Sequence, residues 1–212
     1  MIETFINLVQ VVVLTICAGI SLYTAFRKHS RTWTIQFFFY GTYLLGDIYW
    51  QICLFYYGST PEISVVSDLS WYAAYLFIYL LLSTQVGKDK PVQRNRKRYV
   101  AFIGPVFTVL MAVFYMNWGE IASNIVYAVI MGAVLYTAIS CLLNAKCEQD
   151  SKYNIKALSI VSIVIVLFEY GDWTFSCFWD IPVMQYAYYA SDFLMTLSFP
   201  LFFAAMKKEV AG

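Results

Sequence analysis

The sequence predicts an all-α integral membrane protein built as a single bundle of seven transmembrane helices. Hydrophobic residues make up 61% of the chain, only 13% of residues are charged, and the mean hydropathy is +0.64. In a typical soluble domain about a quarter of the residues are charged. In addition, runs of roughly 20 mostly apolar residues, the length that crosses a bilayer, recur along the whole chain.

In chain order, the predicted spans 1 to 7 are residues 5–26, 33–57, 65–86, 99–118, 121–144, 157–179 and 183–206. They take up most of the 212 residues, so the connections are short and leave no room for a soluble catalytic domain. No basic segment precedes span 1, which favours a permanent span over a cleaved signal peptide. Function is therefore expected to come from side chains within a single bundle, residues 1–212.

Basic residues predict how the bundle is oriented. All 14 Lys and Arg fall at alternate ends of the spans: Arg27, Lys28 and Arg31; residues 88–98; Lys146, Lys152 and Lys156; and Lys207 and Lys208. The opposite ends carry Glu3, Glu62, Glu120 and Asp180. Because basic loops stay in the cytoplasm, we expect the N-terminus outside and the C-terminus in the cytoplasm, in a plasma or inner membrane. The segment KDKPVQRNRKR (88–98) is interpreted first as a topology signal and second as a surface for anionic lipid or a cytoplasmic protein.

The five cysteines are scattered, and the one histidine, His29, lies in the first cytoplasmic connection. No cysteine pair has the spacing of a zinc ribbon or a redox CxxC motif, and a single histidine does not favour haem or a histidine-based metal centre. We therefore predict no metal and no cofactor. Apart from the bilayer, the expected partner is a small molecule, and nothing indicates nucleic acid.

Five carboxylates lie inside the predicted spans: Asp47, Asp68, Glu169, Asp172 and Asp192. An ionised carboxylate in hydrocarbon costs a few kcal/mol even on lenient scales, so such residues are functional candidates. Counting about 1.5 Å per residue from the helix ends places all of them between the midplane and the outer surface. We expect a shared pocket on the outer side, to which Asp68 belongs unless it is merely interfacial.

Helical spacing puts an aromatic residue on the same face as each acid. These predicted partners are Tyr43 and Trp50 for Asp47, Trp71 and Tyr75 for Asp68, Trp173 for Glu169 and Asp172, and Tyr189 for Asp192. Trp and Tyr also collect at membrane interfaces, so an ordinary aromatic belt is the alternative interpretation. A pocket is favoured for the deeper Tyr43, Trp50 and Tyr75, which are in phase with an acid.

Similar short motifs occur in both halves of the chain. LGDIYWQ (45–51) is followed by Ser-Asp at 67–68, YGDW (170–173) is followed by Ser-Asp at 191–192, and LYTA occurs at 22–25 and at 135–138. The motifs predict a parallel repeat of three helices, residues 1–87 and 121–208, joined by span 4 (99–118); chance similarity is the alternative. Repeats of this kind place binding sites at their interface, near the midplane.

Three families resemble this chain in part. The three-plus-one-plus-three plan is similar to SWEET and PQ-loop transporters, although the chain has no Pro-Gln dipeptide. Seven spans with intramembrane acids also resemble microbial rhodopsins, but span 7 has no lysine for a retinal Schiff base. Gly46-Asp47 and Gly171-Asp172 resemble fragments of the Gly-x-Gly-Asp intramembrane proteases, without the first glycine. The sequence is therefore assigned to no family.

Several carboxylates in a water-poor site cannot all ionise, so the predicted pocket should attract protons or a cation. The leading hypothesis is a transporter of a small cationic or amphipathic solute, with proton coupling as a further option. The alternative is a ligand-binding membrane sensor or receptor that signals to a cytoplasmic partner. A third hypothesis, an intramembrane aspartyl hydrolase using Asp47 and Asp172, makes an enzyme less expected. A fourth is that the acids only bridge helices.

Overall fold

The computed structural model describes residues 2–61, 65–85, 96–119, 121–144 and 154–206. Within this part of the chain the regular structure is all helical, which confirms the predicted all-α class. The α-helices are α1 (Ile2–Lys28), α2 (Arg31–Tyr57), α3 (Val65–Gln85), α4 (Ile103–Tyr115), α5 (Ile121–Asn144), α6 (Ile155–Ser176), α7 (Pro182–Ser198) and α8 (Leu201–Met206). A 3₁₀ segment, Arg96–Phe102, leads into α4, and α7 and α8 together form the seventh helix, which is interrupted near its end.

Among the described residues, four helical segments are long and apolar enough to cross a membrane. They are Ile2–Lys28, Val65–Thr84, Ile121–Leu143 and Pro182–Met206. The sequence predicted seven spans. Helices α2 and α6 are long enough, but buried polar residues such as Gln36, Asp47 and Glu169 lower their hydropathy. The predicted spans 2, 4 and 6 therefore stay predictions.

The predicted span 4 (99–118) is longer than the helix found there. Helix α4 has only 13 residues and begins at Ile103, which places Pro105 in its first turn. Proline lacks the N–H that a helix interior needs, but in the first turn this group would have no intrahelical partner in any case. The residues before α4 adopt the tighter 3₁₀ form instead.

Local signals end and begin the helices around the candidate site. Helix α2 ends at Gly58, which has a φ of 69°, and glycine adopts this left-handed conformation without a Cβ penalty. Helix α7 begins at Pro182, whose fixed φ suits the first helical position. Asn154 caps α6 by accepting a hydrogen bond from the Ala157 N–H at 3.1 Å. The end of α2 and the starts of α6 and α7 are therefore locally encoded.

Six of the helices form a ring. Its order is α1, α2, α3, α5, α6 and α7, and the ring closes through contacts between α7 and α1. Helix α4 lies outside the ring and packs chiefly against α5. In this order α2 lies opposite α6, and α3 lies opposite α7. A continuous core of buried residues, including Leu14, Ile78, Met131 and Ile165, joins the helices.

Several predicted features lie outside the described residues. These are residues 88–95 of the basic segment, Glu62, Glu120, Lys146, Cys147, Lys152, Lys207 and Lys208. The described cysteines, Cys17, Cys53, Cys141 and Cys177, are free thiols. The first three of them are buried, as expected for small apolar residues within a bundle.

Close packing of α4 on α5 depends on Gly104. A Cβ added at this position would lie 2.6 Å from the Cβ of Leu135, a buried core residue. Real Cβ atoms do not approach each other this closely, and Leu135 is held by the surrounding core. Small residues at helix contacts allow this approach of two backbones.

We expect Gly104→Ala to lower the free energy of unfolding by about 1–3 kcal/mol, the usual range for an overpacked core. The matched control is Gly19→Ala, because a Cβ added there meets nothing within 4 Å. Thermal unfolding of the purified protein in detergent compares the two variants. Equal midpoints for both would contradict the proposed steric role of Gly104.

Candidate functional site

A cavity of about 380 Å³ lies within the ring of helices, toward the end where α1 begins and where α2 and α6 end. Its volume falls in the range of small-molecule sites. The lining residues are Glu3, Asn7, Gln10, Tyr43, Asp47, Trp50, Thr60, Trp71, Glu169, Asp172, Trp173, Ser176, Trp179, Tyr188, Asp192 and Met195. Of these, Thr60 and Trp179 are exposed and lie beyond the ends of α2 and α6, so they mark the mouth of the cavity.

The cavity is strongly acidic. Five carboxylate residues line it, and no Lys, Arg or His occurs among the described lining residues. Four of these acids, Asp47, Glu169, Asp172 and Asp192, are at most 6% exposed. A concave site lined by charges of one sign concentrates counter-ions. The cavity is therefore suited to a cation.

Glu169 forms the deepest polar contact of the cavity. The hydroxyl groups of Tyr43 and Tyr75 both donate hydrogen bonds to its Oε2, at 3.0 Å and 2.7 Å. Tyr43 also lies 3.7 Å from the sulfur of Met195. Because Tyr43 belongs to α2 and Tyr75 to α3, the Glu169 carboxylate links both helices to α6. This acid acts as a bridge between helices, one of the roles expected from the sequence.

Asp47 is only half satisfied. The Trp71 indole Nε1–H donates a hydrogen bond to Oδ1 at 3.1 Å, whereas Oδ2 is buried and has no hydrogen-bond partner in the described structure. Gly46 makes the indole contact possible, because a Cβ added there would lie 2.7 Å from Trp71 Nε1. The Trp50 ring packs on the Trp71 ring with centroids 5.8 Å apart. Two indoles therefore lie beside one open carboxylate oxygen.

Asp172 has a similar open oxygen on α6. Its Oδ1 is buried and has no hydrogen-bond partner in the described part of the chain. The preceding Gly171 lies close to α7, since a Cβ added there would be 3.1 Å from the hydroxyl oxygen of Ser191. The next residue on α7, Asp192, also lines the cavity. Gly46 and Gly171 thus both permit close packing beside an acid.

The structure brings most of the predicted site residues together. Asp47, Trp50, Tyr43, Trp71, Glu169, Asp172, Trp173 and Asp192 line one cavity. Tyr75 lies behind it and reaches it through the bond to Glu169. Asp68 and Tyr189 are not among the lining residues.

The two departures have simple geometric causes. Asp68 lies in the first turn of α3 and is half-buried, and α3 reaches the cavity about one turn deeper, through Trp71. On α7 it is Tyr188 that lines the cavity, whereas Tyr189 packs against Trp179 with ring centroids 5.8 Å apart. One residue along a helix turns a side chain by about 100°. In both cases the helix that lines the cavity is the predicted one, and a neighbouring position on it provides the lining side chain.

Helix α1 contributes a polar face that sequence reasoning missed. Glu3, Asn7 and Gln10 line the cavity, although Glu3 had been interpreted only as a topology marker. Their spacing of four and three residues places them on one helix face. In an otherwise apolar helix this pattern was the signal that could have revealed them.

A cluster of buried aromatic residues packs against Tyr43, which lines the cavity. Phe39, Tyr40, Phe199 and Phe202 have no exposed surface, and the Tyr43 and Phe199 rings have centroids 5.0 Å apart. We call Phe39, Tyr40, Phe199 and Phe202 the aromatic layer. Phe39 and Tyr40 lie about one turn from Tyr43 along α2, so the layer adjoins the cavity.

The seventh helix breaks at the aromatic layer. Pro200 falls between α7 and α8, and its ring leaves no N–H to continue the helical ladder. The carbonyl of Phe199 accepts a hydrogen bond from the Tyr40 hydroxyl at 2.7 Å. A residue of α2 therefore holds the break in place.

We expect Tyr75→Phe to lower the free energy of unfolding by about 1–3 kcal/mol, since it removes one of the two donors to a buried carboxylate. The matched control is Tyr79→Phe, four residues further along α3, where the side chain is 36% exposed. Chemical unfolding in mixed micelles gives both values. A loss at position 75 no larger than that at position 79 would argue against the bridging role of Glu169.

Comparison of the chain with protein-family models, with curated proteins and with solved structures finds no match in any of the three. The observations that bear on function are thus the unpartnered carboxylate oxygens of Asp47 and Asp172, the indoles of Trp50, Trp71 and Trp173, and the aromatic layer that adjoins the cavity. They describe a helical membrane protein with buried carboxylates and clustered aromatic rings.

Proposed function

We propose that this protein binds a small organic cation in the acidic cavity and transports it across the membrane. The observation that carries the proposal is that two acids lining the cavity, Asp47 and Asp172, each have one buried oxygen (Asp47 Oδ2 and Asp172 Oδ1) without a hydrogen-bond partner among the described residues. More than about nine in ten buried polar atoms in native proteins have a partner. An ammonium group supplies N–H donors for hydrogen bonds and a positive charge that compensates the carboxylates.

The aromatic lining favours an organic cation over a metal ion. Trp50, Trp71 and Trp173 line the same cavity as the open carboxylates. A cation over an indole face gains about 0.5–2 kcal/mol, and a weakly hydrated ammonium loses less on leaving water than a small metal ion does. The solute class that fits is thus a small cationic or amphipathic amine.

Transport, as opposed to binding alone, is supported by the position of the helix break. The aromatic layer packs against Tyr43 of the cavity lining, and the interruption between Ser198 and Leu201 adjoins that layer. Interrupted helices can absorb the backbone rotation that a hinge requires. We propose that the layer opens by movement of α8 relative to α7, which would expose the cavity to the opposite side.

The proposed topology agrees with this direction of access. With seven spans and an external N-terminus, as the basic residues predict, the mouth near Thr60 and Trp179 faces outside. In this scheme α1–α3 and α5–α7 are the two parts of a parallel repeat, and Asp47 and Asp172 take equivalent places on opposite sides of the ring. Exchange of protons at Asp47, Asp172 or Asp192 would then couple the solute to a proton gradient.

A sensor or receptor remains the second candidate, and one observation favours it. The aromatic layer is fully buried and its Tyr40–Phe199 hydrogen bond is short, so a ligand could occupy the cavity without passing further. Binding would then act on a cytoplasmic partner through movement of the helices. Uptake into vesicles separates this candidate from a transporter.

We expect Asp47→Asn and Asp172→Asn each to weaken binding of a primary alkylammonium at least tenfold, about 1.4 kcal/mol. Each substitution removes the negative charge while it keeps the size of the side chain. Asp180→Asn is the matched control, because Asp180 is exposed and does not line the cavity. Calorimetry on the protein in lipid nanodiscs gives the affinities, and proteoliposomes give the uptake rates.

Unchanged affinity in both cavity variants would show that the cation site is wrong. Binding that depends on Asp47 and Asp172, without any uptake of the same amine into proteoliposomes, would favour the receptor. Uptake that is lost in both variants and kept in Asp180→Asn supports the transporter.

A further inference from the structure

We propose that the ligand is a linear aliphatic amine with two ammonium groups, held lengthwise between Asp47 and Asp172. This inference rests on the proposed cation site and adds the class of its ligand. It follows from where the two open carboxylate oxygens lie, from what surrounds each of them, and from the charge of the cavity as a whole.

The two open oxygens are on opposite walls of the cavity. Asp47 is on α2 and Asp172 is on α6, and these helices lie opposite each other in the ring. Both helices end at the mouth, so the two aspartates lie about one turn nearer to it than Tyr43 and Glu169. The carboxylates therefore face each other across the cavity, above the bond between Tyr43 and Glu169.

The Tyr43–Glu169 contact indicates how wide this gap is. A tyrosine and a glutamate, two long side chains, just meet between α2 and α6 at a hydrogen-bond distance of 3.0 Å. One turn higher, two aspartates replace them, and each is much shorter than its counterpart. At the same separation of α2 and α6 their carboxylates would not meet, and a ligand that contacts both would have to span the space between them.

Charge also favours a dication. Asp47 and Asp172 have Asp192 and Glu169 as common charged neighbours, so four buried carboxylates form one electrostatic group. A buried charge is strongly unfavourable unless an opposite charge pairs with it. Two ammonium groups, one at each wall, neutralise more of this group than a single one does.

Each wall has its own aromatic surface, and apolar groups lie between them. Trp50 and Trp71 flank Asp47, and Trp173 directly follows Asp172 and also lines the cavity. Between the walls, Met195 and the ring of Tyr43 provide apolar lining beside the Glu169 carboxylate. This apolar lining suits a methylene chain, whereas a compact single ammonium would reach only one of the two unpartnered oxygens.

Calorimetry with two ligand series tests the inference on the unaltered protein in nanodiscs. One series is α,ω-diaminoalkanes of two to ten carbons, and the other is monoaminoalkanes of the same lengths. We expect the best diamine to bind at least tenfold more tightly than its monoamine counterpart, with an affinity maximum at one chain length. Monoamines, which reach one wall only, should show no such maximum.

Variants of the two aspartates then test where each ammonium group of the diamine binds. In Asp47→Asn or Asp172→Asn, the affinity ratio of diamine to monoamine should fall toward one, and in Asp180→Asn it should stay as in the unaltered protein. Equal affinities of the two series, or a flat dependence on diamine length, would overturn the dication and leave the cation site intact. Absence of binding in both series would overturn the cation site itself.

Discussion

The carboxylate of Glu169, which accepts hydrogen bonds from Tyr43 and Tyr75, is the contact on which the arrangement of the site depends. Inside a bilayer no water is available, so a buried polar group must find its partners within the protein. Glu169 finds them on α2, which lies opposite its own helix in the ring, and on α3. This one requirement fixes how near α2 and α3 come to α6, and it closes the floor of the cavity below Asp47 and Asp172.

Asp47 and Asp172 are as buried as Glu169 and yet each keeps one oxygen without a partner. Their side chains are shorter, and the tyrosine that satisfies Glu169 has no equivalent one turn nearer to the mouth. An unpartnered buried polar atom costs about 1–3 kcal/mol, which the packed core has to offset. Natural proteins keep such local conflicts mainly at functional sites, where a ligand removes the cost.

From the sequence, residues that share a face of one helix were predicted more accurately than contacts between different helices. Asp47 with Tyr43, and Glu169 with Trp173, follow from the local geometry of one helix, and all four line the cavity. The bond from Trp71 to Asp47 joins two helices and depends on the packing that Gly46 permits, which no spacing rule contains. Span 4 (99–118) was predicted too long because hydropathy does not register that Pro105 belongs in a first turn.

The aromatic layer is connected to the cavity by α2 itself. Asp47, Tyr43 and Tyr40 follow one another at intervals of four and three residues, so they lie on one face of a continuous helix. Tyr40 donates to the Phe199 carbonyl at the break of the seventh helix. A cation that draws Asp47 toward the opposite wall would therefore also move the residue that holds the break. In a packed bundle such a displacement is transmitted through rigid helices to an element that has two arrangements. The proposed binding site and the aromatic layer are thus linked through α2, for either of the two proposed functions.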